Sequence, residues 1–250
     1  MQLKDKVCFV TGAAGGIGRA TAVAMARAGA KLVISDLTVA SLEETASLVK
    51  KQGNDVLALA LDITDVTAVR AAVQKTLERF GRLDCAHNNA GIVLTPASTH
   101  ETSFDGLKRT VDVNLYGTFH CMQAEIELML KQGGGTIVNT ASIAGMVGSI
   151  GNGAYCASKA AVIGLTRTAA VEYAAHGIRI NAVSPGVIET AMTVPMLAPA
   201  EARKAVLGAI PAARFGSPEE IADVVVWLSS SQSSYLVGAI IAADGGFSVQ

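Results

Sequence analysis

Val7-Cys8-Phe9-Val10-Thr11-Gly12-Ala13-Ala14-Gly15-Gly16-Ile17-Gly18 is the stretch on which the reading of this chain turns. Its first five residues are a short apolar run of strand type, and glycines end it. After it Ile17, Ala20, Ala24 and Ala28 recur at helical spacing. Strand, glycine loop and helix therefore follow one another directly. Loop glycines let the backbone turn tightly and approach a pyrophosphate, whose charge is favoured by the free N–H groups of a helix N-terminus. The spacing Thr-Gly-x-x-x-Gly-x-Gly, in this setting, makes Gly12, Gly16, Ile17 and Gly18 candidate dinucleotide contacts.

The next segments repeat the alternation. Lys31 to Asp36 reads as a second strand, and Asp36 closes it 24 positions after Gly12. A carboxylate there is suited to the adenosine ribose hydroxyls and repels a 2′-phosphate. Residues 37–42 hold no Arg or Lys, and Gly15 stands where a basic side chain could have helped, so NAD is favoured over NADP. A helix N-cap is the competing role for Asp36. A helical face at Leu42, Ala46 and Val49 leads to a strand from Asp55 to Leu61, with Asp62 and Ile63 at its carboxyl end as adenine-contact candidates. Thr64-Asp65 caps a helix carrying Val69, Val73, Leu77 and Phe80. A fourth strand, Leu83 to His87, breaks at Asn88-Asn89-Ala90-Gly91, across the topological switch point from the first. Thr11 with Asn88 or Asn89 is expected to bridge the two halves there. The pattern predicts one doubly wound (Rossmann) α/β domain over residues 1–250, a parallel sheet of about seven strands with helices on both faces.

Composition agrees. Half of the 250 residues are hydrophobic and 16% are charged, enough for a large core and against disorder. The net charge of −1, with scattered basic residues, excludes a nucleic-acid or polybasic membrane surface. The N-terminal residues carry no small-residue cleavage pattern and are not expected to be a signal peptide. No stretch approaches the roughly 18 apolar residues of a membrane span. Cys8, Cys85, Cys121 and Cys156 are far apart, without C-x-x-C or paired histidines. Buried free thiols in a reducing cytoplasm, and no metal site, are the expectation.

Further along, Phe104 to Leu130 reads as one long helix with Asn114 inside it, ended by Gly133-Gly134-Gly135. Thr136 to Thr140 is the fifth strand, and Ser142 follows it thirteen residues before Tyr155. Tyr155 and Lys159, four apart in the first turns of a helix, leave the same face. Bringing a phenol from a pKa of about 10 to near 7 takes roughly 4 kcal/mol. An ammonium about 5 Å away at an effective dielectric near 20 supplies on the order of 3 kcal/mol. A second positive charge, such as an oxidised nicotinamide, completes the shift. The pair then serves as a general acid/base for an alcohol or carbonyl. His87, His100, His120 and His176 lie at no motif spacing and read as structural or surface residues.

Together Thr11-Gly12-x-x-x-Gly16-x-Gly18, Asn88-Asn89-Ala90-Gly91, Asn114, Ser142, Tyr155-x-x-x-Lys159 and Asn181-Ala-Val-Ser-Pro185-Gly186 resemble the short-chain dehydrogenases/reductases, over essentially the whole chain. The resemblance implies that Tyr155 is the acid/base and that Lys159 lowers its pKa and binds the nicotinamide ribose. It also implies that Ser142 orients the reacting oxygen and that Asn114 holds a water in a proton relay. Asn89, Ala90, Gly91, Pro185, Gly186, Ile188 and Thr190 would then line the cofactor. Residues 190–210 are similar to that family's mobile substrate lid. Its Met192, Val194, Pro195, Met196, Leu197 and Leu207, with Met146 and Val147, suit a hydrophobic or alicyclic alcohol or ketone, or else pack on the body or another subunit. A homotetramer through the long helices and the C-terminal helix and strand is implied as well. Two rival readings remain: an NADPH-dependent 3-oxoacyl carrier-protein reductase, which Asp36 disfavours, and a catalytically silent dinucleotide-binding scaffold.

Overall fold

A computed structural model describes residues 1–249, with the side chain of Met196 outside the description. Seven strands form one parallel sheet: β1 (Val7–Thr11), β2 (Lys31–Asp36), β3 (Val56–Ala60), β4 (Cys85–Asn88), β5 (Gly135–Thr140), β6 (Ile178–Pro185) and β7 (Ile240–Ala243). Their spatial order is β3-β2-β1-β4-β5-β6-β7, so the order reverses between β1 and β4, where the sheet opens a crevice at its carboxyl edge.

Helices cover both faces, and the period of two along each strand divides the core. Cys8, Val10, Leu32, Ile34, Val138 and Val183 turn toward α1 (Gly16–Arg27), α2 (Glu43–Lys51) and α9 (Pro218–Ser229). Phe9, Val33, Ala86, Ile137 and Ile180 turn the other way, toward α3 (Val66–Phe80), α5 (Thr118–Gln132) and α6 (Gly153–Tyr173). Strands buried on both faces read as continuous apolar runs, which is the form of Val7–Val10 and Leu32–Ile34. Asp65 caps α3 through the N–H groups of Thr67 and Ala68. Ser217 and Glu220 form the capping box that starts α9, with Pro218 at its first position.

The stretch expected as one helix over Phe104–Leu130 is in three pieces. An α-helix, α4 (Phe104–Val111), passes into a π-helical turn at Asp112–Gly117 and then into α5, which runs to Gln132. The widened turn coincides with Asn114, whose carboxamide is pulled onto the backbone of Ile92, while the hydroxyl of Thr118 donates to the Asn114 carbonyl at 2.8 Å. Gly133 caps α5 in the left-handed conformation, and Gly135, expected with the helix end, already belongs to β5. The segment after β6 folds as two short helices, α7 (Val194–Leu197) and α8 (Ala200–Gly208). Leu197 is buried with Ile210 and Phe215, and Leu207 packs against them, so these two apolar residues face the body. Of the four cysteines, Cys8, Cys85 and Cys121 are buried as expected, but Cys156 is only half-buried.

Candidate active site

The carboxyl edge of the sheet carries a cavity of about 840 Å³. Its floor begins at the first glycine loop. A side chain at Gly12 would bring its Cβ within 2.8 Å of the Ala90 Cα, and one at Gly18 would lie 2.1 Å from the Gly12 carbonyl oxygen. The loop, the start of α1 and the Asn89-Ala90 segment therefore pack backbone to backbone. Gly18 itself is buried under the loop, off the cavity wall, while Gly12, Gly16 and Ile17 line it. The N-cap of α1 is Gly15, which offers no side-chain acceptor, so the first-turn N–H groups keep their capacity for an anion.

At one end of the cavity stands Asp36. Its carboxylate accepts from the N–H of Ala14 at 3.0 Å and of Leu37 at 2.8 Å, which aims it across the glycine loop. It caps no helix: the N-cap of α2 is Leu42. Asp62 and Ile63 line the same end, Asp62 held by the N–H and hydroxyl of Thr64. The cavity's middle is fixed by Thr11. Its hydroxyl accepts from the N–H groups of both Asn89 and Ala90, and the Asn89 amide donates back to the carbonyls of Thr11 and Gly12. The expected bridge between the two halves is thus made by Asn89. Asn88 takes no part, because successive strand residues face opposite sides. It donates instead to Glu125 at 2.9 Å and Asn139 at 3.1 Å inside the α5 face.

Ser142, Tyr155 and Lys159 meet at the other end. Ser142 ends the turn after β5, and Tyr155 and Lys159 come from the first turns of α6. The Lys159 ammonium lies 5.7 Å from the centre of the Tyr155 ring and donates to the Thr140 carbonyl at 2.7 Å. Lys159 is 3% exposed, and burial pulls its pKa down to about 8. For Tyr155, burial raises the pKa and a hydrogen bond with Ser142 works against that rise. The direction is opposite to the shift expected from the lysine alone. Burial, the largest of these influences, holds the phenol above its ordinary value among the protein's own groups. Pro185, Gly186, Ile188 and Thr190 complete the wall beside them, as do Ala90 and Gly91.

Asn114 lies behind this wall, fully buried. Its Oδ1 accepts from the Ile92 N–H at 2.8 Å, and its amide donates to the Ile92 carbonyl and to the Ser158 hydroxyl. Its side chain thus clamps the Ile92 backbone and ties it to Ser158 on α6. Of the apolar lid residues, Met192 faces the cavity; Met146 and Val147 are not on its wall. The side chain of Met196 lies outside the description. Sequence reasoning did not single out Thr140 or Ser158, which hold Lys159 and Asn114. Their partners are 19 and 44 residues away, beyond any motif spacing.

The residues suit a nicotinamide dinucleotide: an uncapped helix start, a carboxylate at the end of β2, and a cationic, acid/base end beyond the switch point. The comparisons with known proteins agree. A family model described as enoyl-(acyl carrier protein) reductase matches residues 12–248. Two of the curated relatives that match over 98% of this chain illustrate the range. One is the 3-oxoacyl-[acyl-carrier-protein] reductase FabG of Thermotoga maritima, 41% identical over 99% of its own length. The other is a cyclohexanol dehydrogenase of Acinetobacter sp., 39% identical over 96% of its length. The chain belongs to the short-chain dehydrogenases/reductases. Solved structures of the family superpose closely. Carveol dehydrogenase from Mycobacterium avium, in complex with NAD, has a TM-score of 0.96 at 30% identity, covering 100% of this chain and 99% of that one. A dehydrogenase structure from Agrobacterium tumefaciens with bound NADP has a TM-score of 0.93 at 38% identity, covering 100% and 98%. The family is one of oxidoreductases that use NAD or NADP. No helix among the described residues is long and apolar enough to cross a membrane, and they contain no cluster able to hold a metal ion.

Proposed function

We propose that this short-chain dehydrogenase/reductase oxidises an uncharged secondary alcohol with NAD, or reduces the corresponding ketone, and that the substrate is hydrophobic or alicyclic. The observation that carries the reading is the pairing of Asp36 at one end of a single cavity with Ser142, Tyr155 and Lys159 at the other. Gly12, Gly16, Ile17 and the first turn of α1 hold the pyrophosphate; Asp36 the adenosine ribose; Asp62 and Ile63 the adenine; Asn89, Ala90 and Gly91 the middle of the cofactor. Pro185, Gly186, Ile188 and Thr190 hold the nicotinamide, with Lys159 on its ribose. A nicotinamide dinucleotide bound there supplies the hydride acceptor for oxidation and the donor for reduction.

The protein's own residues do the rest. The Ser142 hydroxyl steadies the substrate oxygen, and the Tyr155 phenolate takes the substrate's hydroxyl proton, becoming the neutral phenol as the carbonyl forms. Lys159, charged below its pKa of about 8, favours the phenolate. With its side chain committed to Ile92 and Ser158 and its main-chain carbonyl already accepting from the Thr118 hydroxyl, Asn114 holds the water of a proton relay through that carbonyl's second lone pair. Residues 190–210 act as a lid within one domain, Met192 giving the substrate an apolar wall. The cyclohexanol dehydrogenase among the relatives supports an alicyclic substrate.

The reductase of Thermotoga maritima keeps a second reading in view, an NADPH-dependent 3-oxoacyl carrier-protein reductase. Titration with NADH and NADPH separates the two. A preference for NADH with alicyclic ketones is expected, and a clear preference for NADPH with acyl thioesters would overturn it. We extend the reading to a cytoplasmic homotetramer. Exposed Phe119 and Leu130 on α5, Val171 on α6 and Trp227 on α9 offer apolar contact to other copies. Sedimentation as a monomer would refute the assembly.

A further inference from the structure

We propose that His87 is a positioning residue for Lys159, acting through Thr140; the proposal rests on the reading of Lys159 given above. His87 and Asn89 leave the same face of the β4 end, one residue to either side of Asn88. The His87 ring is completely buried, and its Nε2 lies 2.8 Å from the Thr140 hydroxyl. Its Nδ1 is buried without a partner. Thr140 in turn touches both halves of the cavity. Its carbonyl accepts from the Lys159 ammonium at 2.7 Å, and its hydroxyl donates to Asn89 Oδ1 at 3.5 Å.

The direction of these bonds follows from counting protons. Thr140 has one hydroxyl hydrogen, and Asn89 Oδ1 can only accept. With Nε2 as the donor, Nδ1 is left as a bare acceptor and the Thr140 hydrogen is free for the long contact to Asn89. The other tautomer would bury an unpartnered N–H, the less common and more costly defect. One directed chain results: His87 to Thr140, Thr140 to Asn89, and the Asn89 amide to the carbonyls of Thr11 and Gly12. It fixes the Thr140 peptide whose carbonyl receives Lys159. His87 can occupy this place only as a neutral ring. Burial, and then the positive charge of Lys159, pull its pKa down to about 3, so it stays a fixed donor and never a competing charge.

The chain also accounts for a polar residue in an apolar position. Strand neighbours Cys85 and Ala86 are buried and apolar, and a buried imidazole with one unpartnered nitrogen is a stability cost that packing alone would not select.

The test uses the full chain and three variants: His87→Leu, Thr140→Val and His87→Gln. Two quantities are measured: the pH profile of kcat for alcohol oxidation, and the titration of Lys159 followed by NMR in protein carrying ε-¹³C-lysine, with Lys159→Met for assignment. Removing the anchor weakens the carbonyl bond to the ammonium, so in His87→Leu and Thr140→Val the Lys159 titration moves down by about half a unit or more. The limb of the profile that requires phenolate moves up correspondingly. His87→Gln, which can again donate to Thr140, returns both toward wild type. The thermal midpoint of His87→Leu stays level or rises, which a merely structural role would not allow together with altered kinetics. The Lys159 titration needs no substrate, so a wild-type protein inactive toward every alcohol would defeat the functional reading and leave this test standing. Wild-type titration of Lys159 in both His87→Leu and Thr140→Val would overturn the proposal, even if activity fell. Should His87→Leu fail to fold, Thr140→Val and His87→Gln decide it.

Discussion

The two ends of the cavity are built on different principles. At the Asp36 end, contacts are short in sequence or made to backbone: Asp36 is held by Ala14 and Leu37, Asp62 by Thr64. At the Tyr155 end the holders come from afar: Lys159 rests on Thr140, Thr140 on His87, and Asn114 on Ile92 and Ser158. The first end lies toward solvent, and its carboxylate acts by geometry and charge. The second is buried, and there burial raises the phenol's pKa and lowers the ammonium's. On the proposed function, the difference separates an end where one side chain would decide cofactor binding from an end where the chemistry would depend on a supported group.

The largest effect that sharpens this contrast is expected from Lys159→Met. Removing the charge beside Tyr155 should lower kcat/KM for oxidation by about 10²- to 10⁴-fold. Stability should move the other way. The folded pKa of Lys159 is about 8 against 10.5 for the free side chain, so below pH 8 both states are charged and the burial cost is fully present. As pH rises from 8 to 10.5 the unfolded state binds more protons and the folded state gains stability. In Lys159→Met that gain over this window should vanish and stability near neutrality should be level or higher, as read by denaturant unfolding at several pH values. A large loss of stability at pH 7 would break the contrast.

Asp36→Ala is next in size. Losing a charged acceptor for the ribose should reduce the ratio of kcat/KM with NAD to that with NADP by about ten- to a hundredfold. The kcat at saturating NAD should stay near wild type, because this end takes no part in proton transfer. An equal fall in kcat would show that the two ends are not separable.

The smallest effects concern the two faces of β4. Glu125 is buried against Asn88, and burial lifts its pKa to about 7 from 4.5. Between those values the folded state binds the extra proton, so this group's contribution to stability falls as pH rises from 4.5 through 7. His87 has the opposite sign. Its folded pKa of about 3 lies below 6.5, so stability falls as pH drops through that window. The two partly cancel between pH 4.5 and 6.5. Glu125→Gln should remove the first slope, exposing a steeper acid loss from His87 in urea unfolding between pH 4.5 and 7. An unchanged slope would mean that Glu125 is ionised in the folded protein.

This contrast also governs what could be read from the chain itself. The doubly wound order, the glycine loop and the placing of Asp36, Ser142, Tyr155 and Lys159 rest on periodicity and short spacings, which survive without knowledge of tertiary contacts. The π-helical turn coincides with Asn114, whose side-chain partner, the backbone of Ile92, is 22 residues away and so was hidden from the sequence. Asn88 and Asn89 look alike in sequence, and the pleat alone sends one to Glu125 and the other to Thr11. The lid's apolar residues were divided by packing: Leu197 and Leu207 went to the body and Met192 to the cavity. Electrostatics was least legible. The four-residue spacing of Tyr155 and Lys159 says nothing of the burial that opposes the shift it was expected to produce.

The central claim is that Tyr155 moves the substrate proton in an NAD-dependent oxidation. Turnover of a cyclohexanol-type alcohol with NAD, compared between the wild-type protein and Tyr155→Phe, tests it most directly. Phenylalanine keeps the ring and its packing while removing the hydroxyl. The account predicts a fall in kcat of about 10²- to 10⁴-fold with NADH affinity preserved. Undiminished turnover in Tyr155→Phe would contradict it.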